Sequence, residues 1–450
     1  MARRGRVVGR SRRGTADAPP RPSVSSAPVA ALVEAISGRG TGRAVVDIGG
    51  AARTLDIPYV LAGETVEIRI ARERRDHIDA ELLRVLKPAP DRQLPPCRHF
   101  GSCGGCAVQH WPDDTYAQWK AEMPGAALRA RGVEVQRVLP MLRTTPGTRR
   151  RADFTLRHTA RGAIVGFARR ASHKVVDLRE CPVLMPQIAG LIAPLRTLVP
   201  AVLPPGATAE AVVNWTDTGA DLLLVPEEKL VLDLDRRMAL AGFADATDAA
   251  RVSWGGRRSS EPVVTRHAPR LRLGRVDVEP PPGAFLQASL ASEAALQATV
   301  RDWLGAAKRV VDLYGGIGTL SLGLLPDRRV TLVEADRAAV AAVDAALRRA
   351  ALSGIATAAV RDLARDPLPA EELTAFDAAI FDPPRAGAVA QATELARSPV
   401  PTVIAVSCDV ASFARDARIL VDGGYRLEQL MPVDQFLWSP HVELAALFRR

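Results

Sequence analysis

A chain of 450 residues with 47% hydrophobic side chains is long enough for two or three domains with sizeable cores. No stretch reads as a membrane span: Ala189–Leu203 comes closest, and Pro194, Arg196 and Pro200 interrupt it. The formal net charge of +10 favours a polyanionic partner, nucleic acid above all. Lysine occurs only at 87, 120, 174, 229 and 308, so nearly all the positive charge is arginine. Heavy arginine use can also follow genome composition, so local clusters weigh more than the total. Arginines without an apolar core behind them open the chain, which argues against a signal peptide and for a cytoplasmic protein.

Residues 1–27 are rich in Arg, Ser and Pro and lack periodicity, which predicts a disordered basic tail. In 28–90, short alternating runs are separated by turn residues: Ala44–Ile48, Thr54–Pro58, Glu64–Ile70 and His77–Ala80. They predict a small β-barrel, either of the oligonucleotide-binding type that commonly holds RNA or a β-domain of another kind.

Residues 91–275 are expected to form an α+β domain. Cys97, Cys103 and Cys106 lie in P-C-R-H-F-G-S-C-G-G-C, and Cys181 follows in R-E-C-P-V. In a cytoplasmic protein, clustered cysteines point to metal rather than disulfides. Four thiolates suit an iron–sulfur cluster or zinc. The C-x5-C-x2-C spacing departs from the paired knuckles of zinc ribbons, and a [4Fe–4S] cluster is favoured. Gly166–Arg170 and Lys174–Leu178 read as a hairpin that returns Cys181 to the other three. Arg149, Arg150 and Arg151 are consecutive, and seven arginines fall between Arg251 and Arg275.

Strand–helix alternation occupies 276–450. Arg309–Thr319 reads as a strand, a glycine-rich turn (Gly315, Gly316, Gly318) and then a helix. Arg329–Asp336 reads as a strand ending in acids. Such a unit binds nucleotides: the glycines admit the ligand to the backbone, and the acid reaches ribose hydroxyls. The G-G-I-G turn departs from the dinucleotide fingerprint and looks like the S-adenosylmethionine turn of class I methyltransferases. Phe376–Phe381 is a strand leading into the rigid loop Asp382-Pro383-Pro384-Arg385. Val403–Asp409, V-I-A-V-S-C-D, is a buried strand ending at the sheet edge where open α/β sheets bind ligands. A thiol there can act as a nucleophile, although Cys408 alone also reads as a small core residue. Glu443, among Val442, Leu444 and Leu447, reads alone as a surface-helix glutamate.

Taken together, these motifs resemble the RNA uracil-5-methyltransferase family. The carrying segments are the four-cysteine set, Phe285-Leu286-Gln287, D-L-Y-G-G-I-G-T, V-E-A-D, D-P-P-R-A-G, S-C-D and H-V-E. The resemblance covers most of the chain. It implies an N-terminal TRAM-like barrel, a central cluster domain and a C-terminal Rossmann-like catalytic domain. It implies a nucleophile at Cys408, a base at Glu443, and cofactor contacts at Gln287, Tyr314, Glu334 and Asp382. It makes Cys97, Cys103, Cys106 and Cys181 ligands of a [4Fe–4S] cluster. The implied substrate is a uridine of 23S rRNA or tRNA, the methyl donor is S-adenosylmethionine, and a monomer without membrane attachment is expected. Relatives usually carry Asn-Pro where this chain has Asp409-Val410, and Pro-His-Thr where it has Leu437-Trp438-Ser439-Pro440. Two other readings compete: an amino-directed methyltransferase, which needs no cysteine and usually carries Asn-Pro-Pro-Tyr, and a non-catalytic RNA-binding protein.

Overall fold

The computed structural model describes residues 27–48, 50–74 and 77–450. The expected basic tail, 1–27, lies outside the described residues except for Ala27. Among the described residues two compact units are present: one comprises Ala27–Ile36 together with Gly42–Ala89, and the other comprises Ser37–Thr41 with Pro90–Arg450.

In the first unit, six strands form one sheet in the order Val29–Leu32, Thr65–Glu73, Ile78–Lys87, Ala51–Ile57, Gly42–Ile48, Ala35–Ile36. The two outermost strands are consecutive in the chain. Between them, Val33 N–H donates to the Glu64 carbonyl and Glu34 N–H to the Arg43 carbonyl. The chain thus bridges the two edges and closes the sheet, which leaves little open backbone. Alternate residues, Leu55, Ile57, Val66, Ile68 and Ile70 among them, fill the interior. Many of the unit's arginines are paired with its own acids, as in Arg53–Glu73, Arg69–Glu81 and Arg84–Glu67.

The second unit holds two large sheets. One has seven strands in the order Val175–Asp177, Gly162–Ala168, Arg151–Thr159, Thr208–Thr216, Gly219–Pro226, Arg251–Gly256, Ser259–Thr265. Helices Ile192–Val202 and Leu234–Thr247 supply Leu195, Val199, Leu240 and Phe243 to its core. The expected hairpin is present, with Gly166 opposite Asp177 and Phe167 opposite Val176.

The other sheet runs Ala356–Val360, Arg329–Glu334, Arg309–Leu313, Ala378–Phe381, Thr402–Ser407, Glu443–Arg449, Arg426–Asp434, Val135–Val138. Its first five strands are mutually parallel, and Glu443–Arg449 is antiparallel to both neighbours. Apolar cores lie on both faces, one receiving helices Leu290–Trp303 and Arg337–Arg349, the other Val389–Arg397 and Val410–Asp422. Val135–Val138 comes from the region before 275, so this sheet recruits a strand from outside 276–450. The helix expected after the glycine turn is only a short 3-10 segment, Leu322–Leu324. Gly318, Gly323 and Pro326 leave too few uninterrupted residues for a longer one. Among the described residues, no helix is long and apolar enough to cross a membrane.

Candidate active site

The strand order reverses between Arg309–Leu313 and Ala378–Phe381, and the ligand crevice of an open α/β sheet forms at such a point. The first strand delivers Asp312, Tyr314 and the glycines; the second delivers Asp382. Tyr314 takes a left-handed conformation, φ 60°, which costs roughly 1–3 kcal/mol for a non-glycine residue. At Gly315 a Cβ would lie 2.6 Å from Leu332 Cγ and 2.9 Å from Asp312 Oδ2, so only glycine fits. Glu334 braces the turn, accepting from Gly316 N–H at 3.0 Å and Asp336 N–H at 2.8 Å. Asp312 is buried with neither carboxylate oxygen hydrogen bonded, and burial pushes its carboxyl up to about 7. Buried polar atoms without a protein partner call for a ligand or water.

Strand Thr402–Ser407 pairs with Glu443–Arg449 so that Ser407 faces Leu444. Cys408 directly follows Ser407 and Glu443 directly precedes Leu444, so the two come from adjoining strand ends, and both line one cavity. Glu443 therefore opens a buried strand and is 2% exposed; it does not lie on a surface helix. The segment E-L-A-A-L-F-R lacks period-two alternation because both faces are covered, which is why its strand character is obscure in the sequence. Burial pushes the Glu443 carboxyl well up, and nearby Asp382 adds to this. Burial likewise raises Cys408, to about 11; Glu443 and Asp382 reinforce the rise and Arg385 opposes it. Asp382 is itself pushed up to about 7 by burial.

A chain of side-chain amides joins the two carboxyls. Gln287 Nε2 donates to Asp382 Oδ2 at 3.2 Å, Gln435 Nε2 donates to Gln287 Oε1 at 2.9 Å, and Gln435 Nε2 also donates to Glu443 Oε2 at 2.6 Å. The six residues expected at the catalytic and cofactor positions, Cys408, Glu443, Gln287, Tyr314, Glu334 and Asp382, line one cavity of about 570 Å³. Asp312, Asp336, Asp362 and Arg385 share it. Asp362, which lines the cavity, and Gln435, which bonds to Glu443, carried no distinct signal in the sequence.

The residues that differ from the usual motif have local explanations. Asp409 caps helix Val410–Asp422, accepting from Ala411 N–H at 3.1 Å and Ser412 N–H at 2.9 Å, a task Asn or Asp performs equally. Ser439 keeps a hydroxyl that donates to the Phe436 carbonyl at 2.8 Å. Trp438 occupies a left-handed turn, φ 57°, and its carbonyl accepts from Ala107 N–H and Val108 N–H at 2.8 and 3.2 Å.

The other four cysteines, Cys97, Cys103, Cys106 and Cys181, line a second cavity of about 440 Å³ together with Gly104, Gly105, Arg149 and His441. His99 accepts Arg179 N–H at 3.0 Å, and Gly104 N–H donates to the Ala168 carbonyl at 3.0 Å, which ties the cysteine loop to the hairpin. All four are free thiols raised by burial, Cys106 to about 12. Among the described residues, no three His, Cys, Asp or Glu side chains converge closely enough to hold one metal ion. Arg385 borders both cavities.

No family model matches the chain. It is 41% identical over 396 residues to an uncharacterized RNA methyltransferase of Brucella suis, covering 88% of this chain and 92% of that protein. It is 33% identical over 428 residues to the 23S rRNA (uracil(1939)-C(5))-methyltransferase RlmD of Halomonas elongata, covering 90% and 86%. Among solved structures, the tRNA (uracil-54, C5)-methyltransferase of Pyrococcus abyssi, in complex with S-adenosyl-L-homocysteine, superposes with a TM-score of 0.69 at 23% identity, covering 93% of this chain and 99% of that one. This likeness of fold, the two extended sequence matches and the assembled cavity agree with the motifs: the chain belongs to the S-adenosylmethionine-dependent RNA uracil-5-methyltransferase family.

Proposed function

We propose that this enzyme forms 5-methyluridine in RNA, with 23S rRNA the leading substrate, through a covalent bond between Cys408 Sγ and uracil C6. The observation that carries this reading is that Cys408 and Glu443, at the adjoining ends of two paired strands, both line the cavity bearing the glycine turn. The match to the Halomonas methyltransferase supports ribosomal RNA.

The cavity fits the cofactor. Its acids, Asp312, Glu334, Asp336, Asp362 and Asp382, suit a ligand carrying an ammonium group, ribose hydroxyls and a sulfonium, and Asp312 has free oxygens to offer. When bound, S-adenosylmethionine supplies an electrophilic methyl group. Cys408 first loses its thiol proton to solvent, and the thiolate adds to C6. The C5–C6 π electrons move onto C5 and O4, which makes C5 a carbon nucleophile able to take the methyl. Glu443 then removes the C5 proton; the C5=C6 bond re-forms as the C6–Sγ bond breaks. Glu443 releases that proton to solvent. The base must leave its stack to be reached in this way, so a looped or flipped uridine is expected.

The four-cysteine cavity is assigned to a [4Fe–4S] cluster. Supporting this are four thiols lining one space, with Gly105 N–H 3.5 Å from Cys103 Sγ. Iron and acid-labile sulfide analysis after anaerobic purification tests it. The closed N-terminal sheet is assigned as a TRAM-like RNA-holding barrel.

Incubating the protein with S-adenosylmethionine and 5-fluorouridine-substituted 23S rRNA or tRNA tests the mechanism, because fluorine at C5 cannot leave as a proton. A denaturing gel should show a shifted band that is absent in Cys408→Ala. Methylation of ordinary RNA by Cys408→Ala would eliminate the covalent mechanism.

A further inference from the structure

Glu443 presents two carboxylate oxygens, and their surroundings differ. Oε2 accepts a hydrogen bond from Gln435 Nε2 at 2.6 Å. Oε1 is buried and has no donor. Gln435 is the residue after strand Arg426–Asp434, is 3% exposed, and does not line the catalytic cavity. Its amide is nonetheless fully engaged: Nε2 donates to Glu443 and Gln287, and Oε1 accepts from Ala288 N–H at 3.1 Å.

We propose that Gln435 is a positioning residue that fixes which oxygen of Glu443 removes the uracil C5 proton, leaving Oε1 as the basic atom. This rests on the function proposed above. The orientation of the amide follows from its partners. Turned over, its oxygen would face Glu443 Oε2 and Gln287 Oε1, and its NH2 would face Ala288 N–H, so all three contacts would become repulsive. The network is anchored at its far end as well. Gln287 donates to Asp382, and its own carbonyl accepts from Arg150 Nε at 3.1 Å. Arg150 is in turn paired with the buried Glu293. The amide chain thus runs from the cofactor wall of the cavity to the base. It holds Glu443 Oε2 away from the substrate while C5 is being methylated.

The role belongs to one chemical step, and this makes it testable. Cys408 addition and methyl transfer precede removal of the C5 proton, so losing Gln435 should spare the first two and slow the last. The experiment compares the parent with Gln435→Met, which keeps the length and removes both donors. Single turnovers on RNA containing 5-tritiated uridine measure proton release; 5-fluorouridine RNA measures addition and methyl transfer. The expected result is adduct formation on 5-fluorouridine RNA at close to the parent rate, with tritium release slowed about 10²-fold, the scale of a misplaced catalytic group. A methylated protein–RNA adduct should also accumulate on ordinary RNA. Gln435→Asn, whose shorter amide reaches only part of the network, should show the same split with a smaller loss, and it serves if the methionine variant does not fold. Tritium release at the parent rate in a folded variant overturns the proposal. So does an equal slowing of both reactions, which would mean a general loss of packing. A parent protein that forms no 5-fluorouridine adduct would instead refute the covalent reading of the site.

Discussion

At Cys408 the thiol sits beside two carboxyls and one guanidinium. Burial, Glu443 and Asp382 push it up to about 11, and Arg385 pulls it down. The thiolate is the nucleophile, so the free enzyme at neutral pH holds its reactive form as a small minority. Raising the pH below 11 enlarges that fraction, up to about tenfold per unit. The rate of adduct formation with 5-fluorouridine RNA should therefore climb steadily across the alkaline range; a flat profile measured by rapid quench would refute attack by a thiol titrating this high. Among the described residues, Arg385 makes no hydrogen bond or ion pair, and it is the cation that opposes the rise. Arg385→Gln should slow adduct formation several-fold, about tenfold if the thiol moves by one unit. Raising the pH should restore much of the rate, whereas a deficit unchanged by pH would place Arg385 in RNA binding instead.

Strands and turns account for what could be read from the sequence. The turn Tyr314–Gly318 and the strand before Cys408 were legible because their signals are local: a β-branched run and glycines at a chain reversal. Glu443 was not legible as a site residue on its own, because Leu444 and Leu447 also fit helical spacing, and only pairing with Thr402–Ser407 decides between strand and helix. Gln435 and Arg150 were obscure as site-builders because their partners are remote: Gln287 lies 148 residues from Gln435, and Glu293 lies 143 from Arg150. The seven-stranded sheet holds a similar long-range device. Parallel register sets Asp221 against Arg251, which grips it through Nε and Nη2, both at 2.8 Å, and also donates to the Pro280 carbonyl at 2.7 Å. Both side chains are buried. Arg251→Leu would leave the carboxyl without a cation and should lower stability by about 3–5 kcal/mol in urea unfolding. Asp221→Asn combined with Arg251→Leu should recover part of that loss; no recovery would mean that arginine packing, not charge, is the main contribution.

Over the whole molecule, the cysteine loop and the catalytic sheet are tied through one segment. Ala107 and Val108, directly after Cys106, hold the Trp438 carbonyl, and Trp438 N–H donates to the Tyr116 hydroxyl at 2.9 Å. Tyr116 and Lys120, on helix Asp113–Arg129, both bond to the Asp434 carboxylate, and Lys120 also donates to the Phe436 carbonyl at 2.7 Å. Gln435 lies between those two anchor points. The ion pair is fully buried, and the Tyr116 hydroxyl donates to the carboxylate at 2.7 Å. Buried pairs of this kind add little net stability, but removing one partner is costly. Lys120→Met should therefore cost about 3 kcal/mol at neutral pH, with Tyr116 limiting the loss. Urea unfolding measures the loss, and a deficit of the same size when Lys120→Met is made in an Asp434→Asn background would attribute it to packing of the lysine stem. If the charge is what holds the segment, the same variant should slow proton release from 5-tritiated RNA more than adduct formation on 5-fluorouridine RNA, because Gln435 would be displaced together with its anchors.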